Sequence, residues 1–231
     1  MKTIRAHLEK LTAVKRRKHH PLVHKIHKKY GISRKTLFYV KEYGPHANVS
    51  KTIIKESIKI LLLGSIISSL GGLTFEYIKT VFISIIPLVI LWPVLNDMIG
   101  DYGMIISSRF STMLHEGKAN KKWWKTKELR TLFTQILIVS LSTAVISSTI
   151  ALAISSFSDY TLNTTIAYKI FLISVIDTVI LVSALFLIAI HEGLHYYREK
   201  EDPNNFLIPI TTSIADFGNM VLLSILVLLF F

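Results

Sequence analysis

The sequence predicts an all-α polytopic membrane protein: five transmembrane helices, the second one broken, behind a short basic helical N-terminal region. Three observations predict it. The 231 residues are 51% hydrophobic, with a mean hydropathy of +0.47, and the apolar residues come in runs long enough to cross a bilayer. The net charge of +12 is carried by the first 51 residues, where 14 Lys and Arg face only Glu9 and Glu42. The remaining residues balance 13 basic against 13 acidic side chains. The chain thus divides at residues 1–51 and 52–231 into a basic head and a neutral membrane body. Cysteine is absent, which excludes disulfides, thiolate metal sites and cysteine nucleophiles.

The head is too basic, and too poor in apolar runs, for a secretory signal peptide. Pro21 breaks or starts a helical element, and GISRKTLFYVKEYG looks like a second short helix with Ser33 as N-cap and Gly44-Pro45 as its stop. That phrase faintly resembles one helix of a winged-helix DNA reader. The charge suits anionic lipid headgroups, at about 1 kcal/mol per nearby Lys or Arg, or a nucleic acid.

The first apolar segment runs from about Ile53 to Leu73, with Gly64, Gly71, Gly72 and several serines that favour close helix packing. The second starts near Lys79 and continues to about His115. A helix of that length measures about 54 Å against a hydrocarbon core of about 30 Å, so a break is expected at Pro87, Pro93, Gly100 or Gly103. The third runs from about Leu132 to Phe157, the fourth from Tyr168 to Ile190, and the fifth from Phe206 to Phe231. Short connections are expected around LTFEYIKT and FSDYTLNTTIAY. They carry little positive charge, whereas GKANKKWWKTKELR holds six Lys and Arg and YYREKEDPNN adds Arg198 and Lys200. Positive-inside counting places the N-terminus in the cytoplasm and the C-terminus outside a cell membrane, with Trp123 and Trp124 as interfacial anchors.

Four acids lie within these segments. Asp97 and Asp101 are four apart around Gly100, Asp177 is mid-way along the fourth segment, and Asp216 lies well inside the fifth. A carboxylate at a span's centre costs about 2.5–3.5 kcal/mol on insertion scales, and such residues mark ion or proton sites by default. No basic residue sits mid-span to pair with them, and Arg109 is nearer one end. Helical spacing puts Thr212, Asp216 and Asn219 on one face. Carboxylates with water and carbonyl oxygens suit hard divalent ions, magnesium above all. The opposing expectation is that Asp177 is simply packed, protonated or hydrogen-bonded between helices.

Two phrases extend this reading. PVLNDMIGDYGMIISSRFST carries Pro93, Gly100, Arg109, Ser111 and Thr112, and DPNNFLIPITTSIAD carries Asp202, Pro203, Asn205, Pro209 and Asp216. Both resemble signatures of the MgtE-type magnesium transporters and their solute-carrier relatives, over about residues 53–231. The resemblance implies a homodimer with the ion path between protomers and no resident cofactor. Asp216 would be the central ligand, contributed twice. Thr212, Ala215 and nearby carbonyls would hold the hydrated ion, and the second span, with Asn96, Gly100, Asp97 and Asp101, would line the path. The family tends to have Gly-Asn at Gly100-Asp101 and glycine at Asp97. The two added carboxylates would strengthen the local field. The basic head stands in place of the family's cytoplasmic regulatory domains, so gating by such domains is not expected here.

A competing motif is His191-Glu192-Gly193-Leu194-His195, which fits H-E-x-x-H. Two histidines four apart on a helix grip one zinc ion, and the glutamate activates its water. A membrane-embedded zinc metalloprotease is therefore the alternative to a non-enzymatic transporter. Its third ligand has no clear source beyond Asp202 or Asp216. A membrane-tethered nucleic-acid- or lipid-binding protein, driven by the head, is the third reading.

Overall fold

The computed structural model describes residues 10, 21–31, 37, 48–119, 125–158, 160–161, 163–199 and 201–231. The expectations for Ser33, Gly44-Pro45, Trp123 and Trp124 fall outside these residues. Among the described residues there are six helices and no strand. They are α1 (Pro21–Tyr30), α2 (Val49–Ser84), α3 (Ile86–His115), α4 (Lys127–Ser156), α5 (Thr164–Glu199) and α6 (Pro203–Phe230). The last five are long and apolar enough to cross a membrane.

In the head, Pro21 opens α1, where its missing N–H is not needed. Gly31 closes the helix at φ +66°, its N–H donating to the His27 carbonyl at 3.0 Å. Val23 and Ile26 are buried against Leu37, with Leu22 and Tyr30 around them.

Of the four places where a break is expected, Pro87 alone lies beside one, and the second span itself is unbroken. Pro93 stands inside α3, which runs uninterrupted from Ile86 to His115 through Gly100 and Gly103. The chain bends instead at Ile85 (φ −115°, ψ 82°), between α2 and α3. Pro87 explains this position. It cannot donate to the Ile83 carbonyl, and its ring crowds that carbonyl, which weakens the helix at this point. LTFEYIKT, expected as a connection, is therefore helix, and α2 reaches 36 residues or about 54 Å.

The helices alternate in direction. α2 and α6 run parallel, since Ser57 meets Asn205 and Ser68 meets Asp216 further along both. α5 runs against α6, its Asp177 level with Asn219 and its Gly193 level with Leu207. α6 sits between α2 on one side and the α3–α5 pair on the other, and α4 covers the far side of that pair. Leu88, Leu91, Leu95, Ile99, Ile106 and Phe110 form the buried stripe of α3 at spacings of three, four and seven. Phe75 of α2 stacks on Trp92 of α3 with centroids 4.6 Å apart, and Phe82 meets the same indole edge-on.

Candidate ion site

Asp216 stands at the middle of α6 and is only partly buried. Two neighbouring helices supply donors to it. Asn96 Nδ2 of α3 donates to Oδ1 at 2.9 Å, and Ser68 Oγ of α2 donates to Oδ2 at 3.3 Å. Behind it Asn219, fully buried, has its carboxamide 3.0 Å from Asn96 Oδ1 and 3.2 Å from the Asn96 backbone N. The far end of the Asn219 carboxamide lies 3.0 Å from Oδ2 of the fully buried Asp177 on α5. A polar belt thus crosses four helices at mid-span, in the order Ser68, Asp216, Asn96, Asn219, Asp177.

The remaining expected residues divide into three groups. Thr212 is partly buried and back-bonds to the Ile208 carbonyl at 2.9 Å, while Ala215 is sealed in the core. Asp97 and Asp101 are exposed on the outer face of α3, away from the belt. Gly100 lies between them, and a Cβ there would meet nothing within 4 Å. Within the chain Asp216, Asp97 and Asp101 do not converge. Among the described residues no group of three or more His, Asp or Glu side chains is gathered to hold a metal.

The Asp-Pro-Asn phrase has a structural task. Asp202 caps α6, accepting from Asn204 N at 3.0 Å, and Pro203 is its first residue. Asn205 Nδ2 donates to Glu56 Oε2 at 3.1 Å. Pro209 has no N–H for the Asn205 carbonyl, and Ser57 Oγ donates to that carbonyl instead, at 3.3 Å. The phrase therefore starts α6 and pins it to the start of α2. At the same end Arg109 and Thr112 of α3 line an open groove of about 600 Å³ with Glu116, Lys127, Glu128 and Gln135. Glu116 hydrogen-bonds Lys118 and holds its ammonium above its ordinary range. Ser111 is buried between helices.

The match to a known family decides what the belt belongs to. The family model for MgtE, described as a divalent cation transporter, matches residues 92–226, more than half of the chain. The chain belongs to the MgtE family of divalent cation transporters. No curated protein and no solved structure matches it. The matched region holds all of α4 and α5, most of α3 and α6, and every belt residue except Ser68.

The H-E-x-x-H phrase lies on α5, inside the matched region. His191 is exposed and its Nδ1 lies 2.9 Å from the adjacent Glu192, while His195 is exposed edge-on to Tyr196. Asp202, the nearest candidate third ligand, is spent on the cap and lies 3.8 Å from His115. The middle glycine has a separate reason to be there. A Cβ at Gly193 would lie 2.7 Å from the Phe110 ring and 3.1 Å from Leu207, so its absence lets α5 touch α3 and α6.

Sequence reasoning missed Ser68, Glu56 and Ser57. All three lie on α2, and each finds its partner across a sequence separation of about 148 residues, which leaves no periodic trace. The nearest signal is the run of small residues around Gly64. A Cβ at Gly64 would strike Ser213, and one at Gly71 would strike Met220, so these glycines set the approach that brings Ser68 to Asp216.

Proposed function

We propose that this MgtE-family protein moves magnesium along a path lined by Asp216, at an interface between two copies of the chain. The observation that carries the reading is Asp216 itself. It is a mid-span carboxylate, oriented by a donor on each oxygen, yet open on one side. Magnesium sheds water reluctantly and is served by one or two carboxylates that contact a partly hydrated ion. Two copies of Asp216 across a symmetry axis would provide that, with Thr212 beside each.

The exposed acids on α3 support the dimeric form. Asp97 and Asp101 lie exposed toward the middle of a spanning helix, with no element over them among the described residues, where lipid would cost about 2.5–3.5 kcal/mol apiece. A second protomer with a watered path removes that cost, and the open space at Gly100 leaves room for it. The lysine-rich connection between α3 and α4 and the basic head favour a cytoplasmic N-terminus and an outward C-terminus. The head then rests on anionic headgroups. The ion is cargo, and no bond-making chemistry is assigned to His191, Glu192 and His195.

The test is uptake in a magnesium-starved host. Asp216→Ala is expected to abolish uptake while membrane insertion and yield stay as in the parent chain. Undiminished uptake by the variant would remove Asp216 from the path.

A further inference from the structure

The open groove between the last turns of α3 and the first turns of α4 takes no part in the belt. Its volume of about 600 Å³ falls within the roughly 300–1,000 Å³ of small-molecule sites. The register of its two walls follows from one contact. Tyr102 Oη of α3 lies 2.6 Å from Thr143 Oγ1 of α4, and the helices run antiparallel. Counting along both from that pair, Arg109 comes level with Gln135, and Glu116 comes level with Glu128. The two levels are about 10 Å apart along the helix axes. The inner level therefore carries a guanidinium, and the outer level, at the helix ends, carries two carboxylates beside Lys127.

These groups are not spent on the protein. Among the described residues Arg109, Lys127, Glu128 and Gln135 make no hydrogen bond or ion pair, whereas Glu116 is taken by Lys118 at 2.8 Å. Arg109 is exposed on a helix apolar enough to span a membrane, about 9 Å short of that helix's end. A guanidinium in that position is drawn to the headgroup layer, and its planar fork fits a phosphate. Partly buried Met113 and Leu132 line the same groove and give it an apolar wall for a lipid stem.

The sign of the ligand follows from the lining. A purely anionic headgroup would bring its charge up against Glu116 and Glu128, and a bare cation would meet Arg109 and Lys127. A headgroup that carries both signs is matched by both. Its order also fits, because in a phospholipid the acyl chains lie deepest, then the phosphate, then the terminal ammonium. We propose that the α3–α4 groove is a binding site for a zwitterionic phospholipid of the ethanolamine type, with its phosphate on Arg109 and its ammonium on Glu128. The proposal is separate from the ion path and stands or falls without Asp216.

The test is native mass spectrometry of the purified full chain in detergent, titrated with phosphatidylethanolamine, phosphatidylglycerol or inorganic phosphate. The parent chain should retain phosphatidylethanolamine at least about fivefold more than phosphatidylglycerol. Arg109→Gln should lower that retention about tenfold, with Arg109→Lys between the two. Glu128→Gln should remove the preference for phosphatidylethanolamine over phosphatidylglycerol. Because both side chains are exposed, the lipid-free unfolding midpoints of these variants should match the parent's. Three outcomes overturn the proposal: equal retention of the two lipids by the parent, unchanged retention in Arg109→Gln, or displacement of the lipid by millimolar inorganic phosphate, which would make this a site for free phosphate. Should Arg109→Gln fail to fold, Arg109→Lys and Glu128→Gln decide the matter by the same readout.

Discussion

The belt inside the bundle and the outer face of α3 hold the same residue type at similar depth, and the fold treats them in opposite ways. Asp177 and Asp216 are built into a hydrogen-bonded chain that engages α2, α3, α5 and α6. Asp97 and Asp101 are left exposed, about one turn apart on α3. A buried acid must be met inside the chain, because no solvent can reach it. An exposed acid at mid-span can instead be met by something outside the chain: water, an ion or a second copy. The belt is thus a finished structure and the α3 face an unfinished one. Asp216, partly buried and partly open, stands where the two conditions meet.

This comparison can be broken most severely at Asp216. Asp216→Asn keeps the side chain's shape but removes the charge, and cation uptake is expected to drop to background in a transport assay with normal insertion. Retained uptake would mean that the belt is only structural. Next in size is the packing that assembles the belt. Gly193→Val thrusts a branched side chain at Phe110 and Leu207, and overpacking of this kind costs about 1–3 kcal/mol. Thermal unfolding in detergent should show the loss, and an unshifted midpoint would mean that α5 can move away freely.

The outer face is sharpened by the double variant Asp97→Asn, Asp101→Asn. Removing two negative charges near the path, without touching the belt, should raise the ion concentration for half-maximal uptake several-fold and leave stability unchanged. A large fall in stability instead would place these acids in contacts not seen within one protomer. The smallest effect is expected from His191→Ala. Among the described residues its exposed ring pairs with the neighbouring Glu192, so uptake should change by less than about twofold and metal analysis of the purified protein should be unaltered. Stoichiometric zinc lost in this variant would revive the protease reading.

The five spans were legible because hydrophobic length is a local property, counted along the chain without knowing its neighbours. The four acids within the spans were legible for the same reason, since a carboxylate in an apolar run is conspicuous wherever its partner lies. The bend was not assigned to one place because four candidates, Pro87, Pro93, Gly100 and Gly103, looked alike in sequence. Packing tolerates Pro93 inside α3, whereas at Pro87 the chain takes the turn. The roles within the DPNN phrase and the HEGLH phrase were also hidden. Capping by Asp202, the Asn205–Glu56 contact and the fit of Gly193 against Phe110 all depend on which helix arrives opposite.

By itself, then, the sequence determined that five helices cross a bilayer, that four acids go with them, and that the positive charge collects at one end. Each follows from the cost of placing a given residue in hydrocarbon, which is paid residue by residue. Only the tertiary structure decided that Asp216 would be held by Asn96 and Ser68, that Asp177 would be sealed behind Asn219, and that Asp97 and Asp101 would face outward. Hydrogen bonds are directional and short, and these join α2, α3, α5 and α6 through helix contacts that no run of consecutive residues encodes.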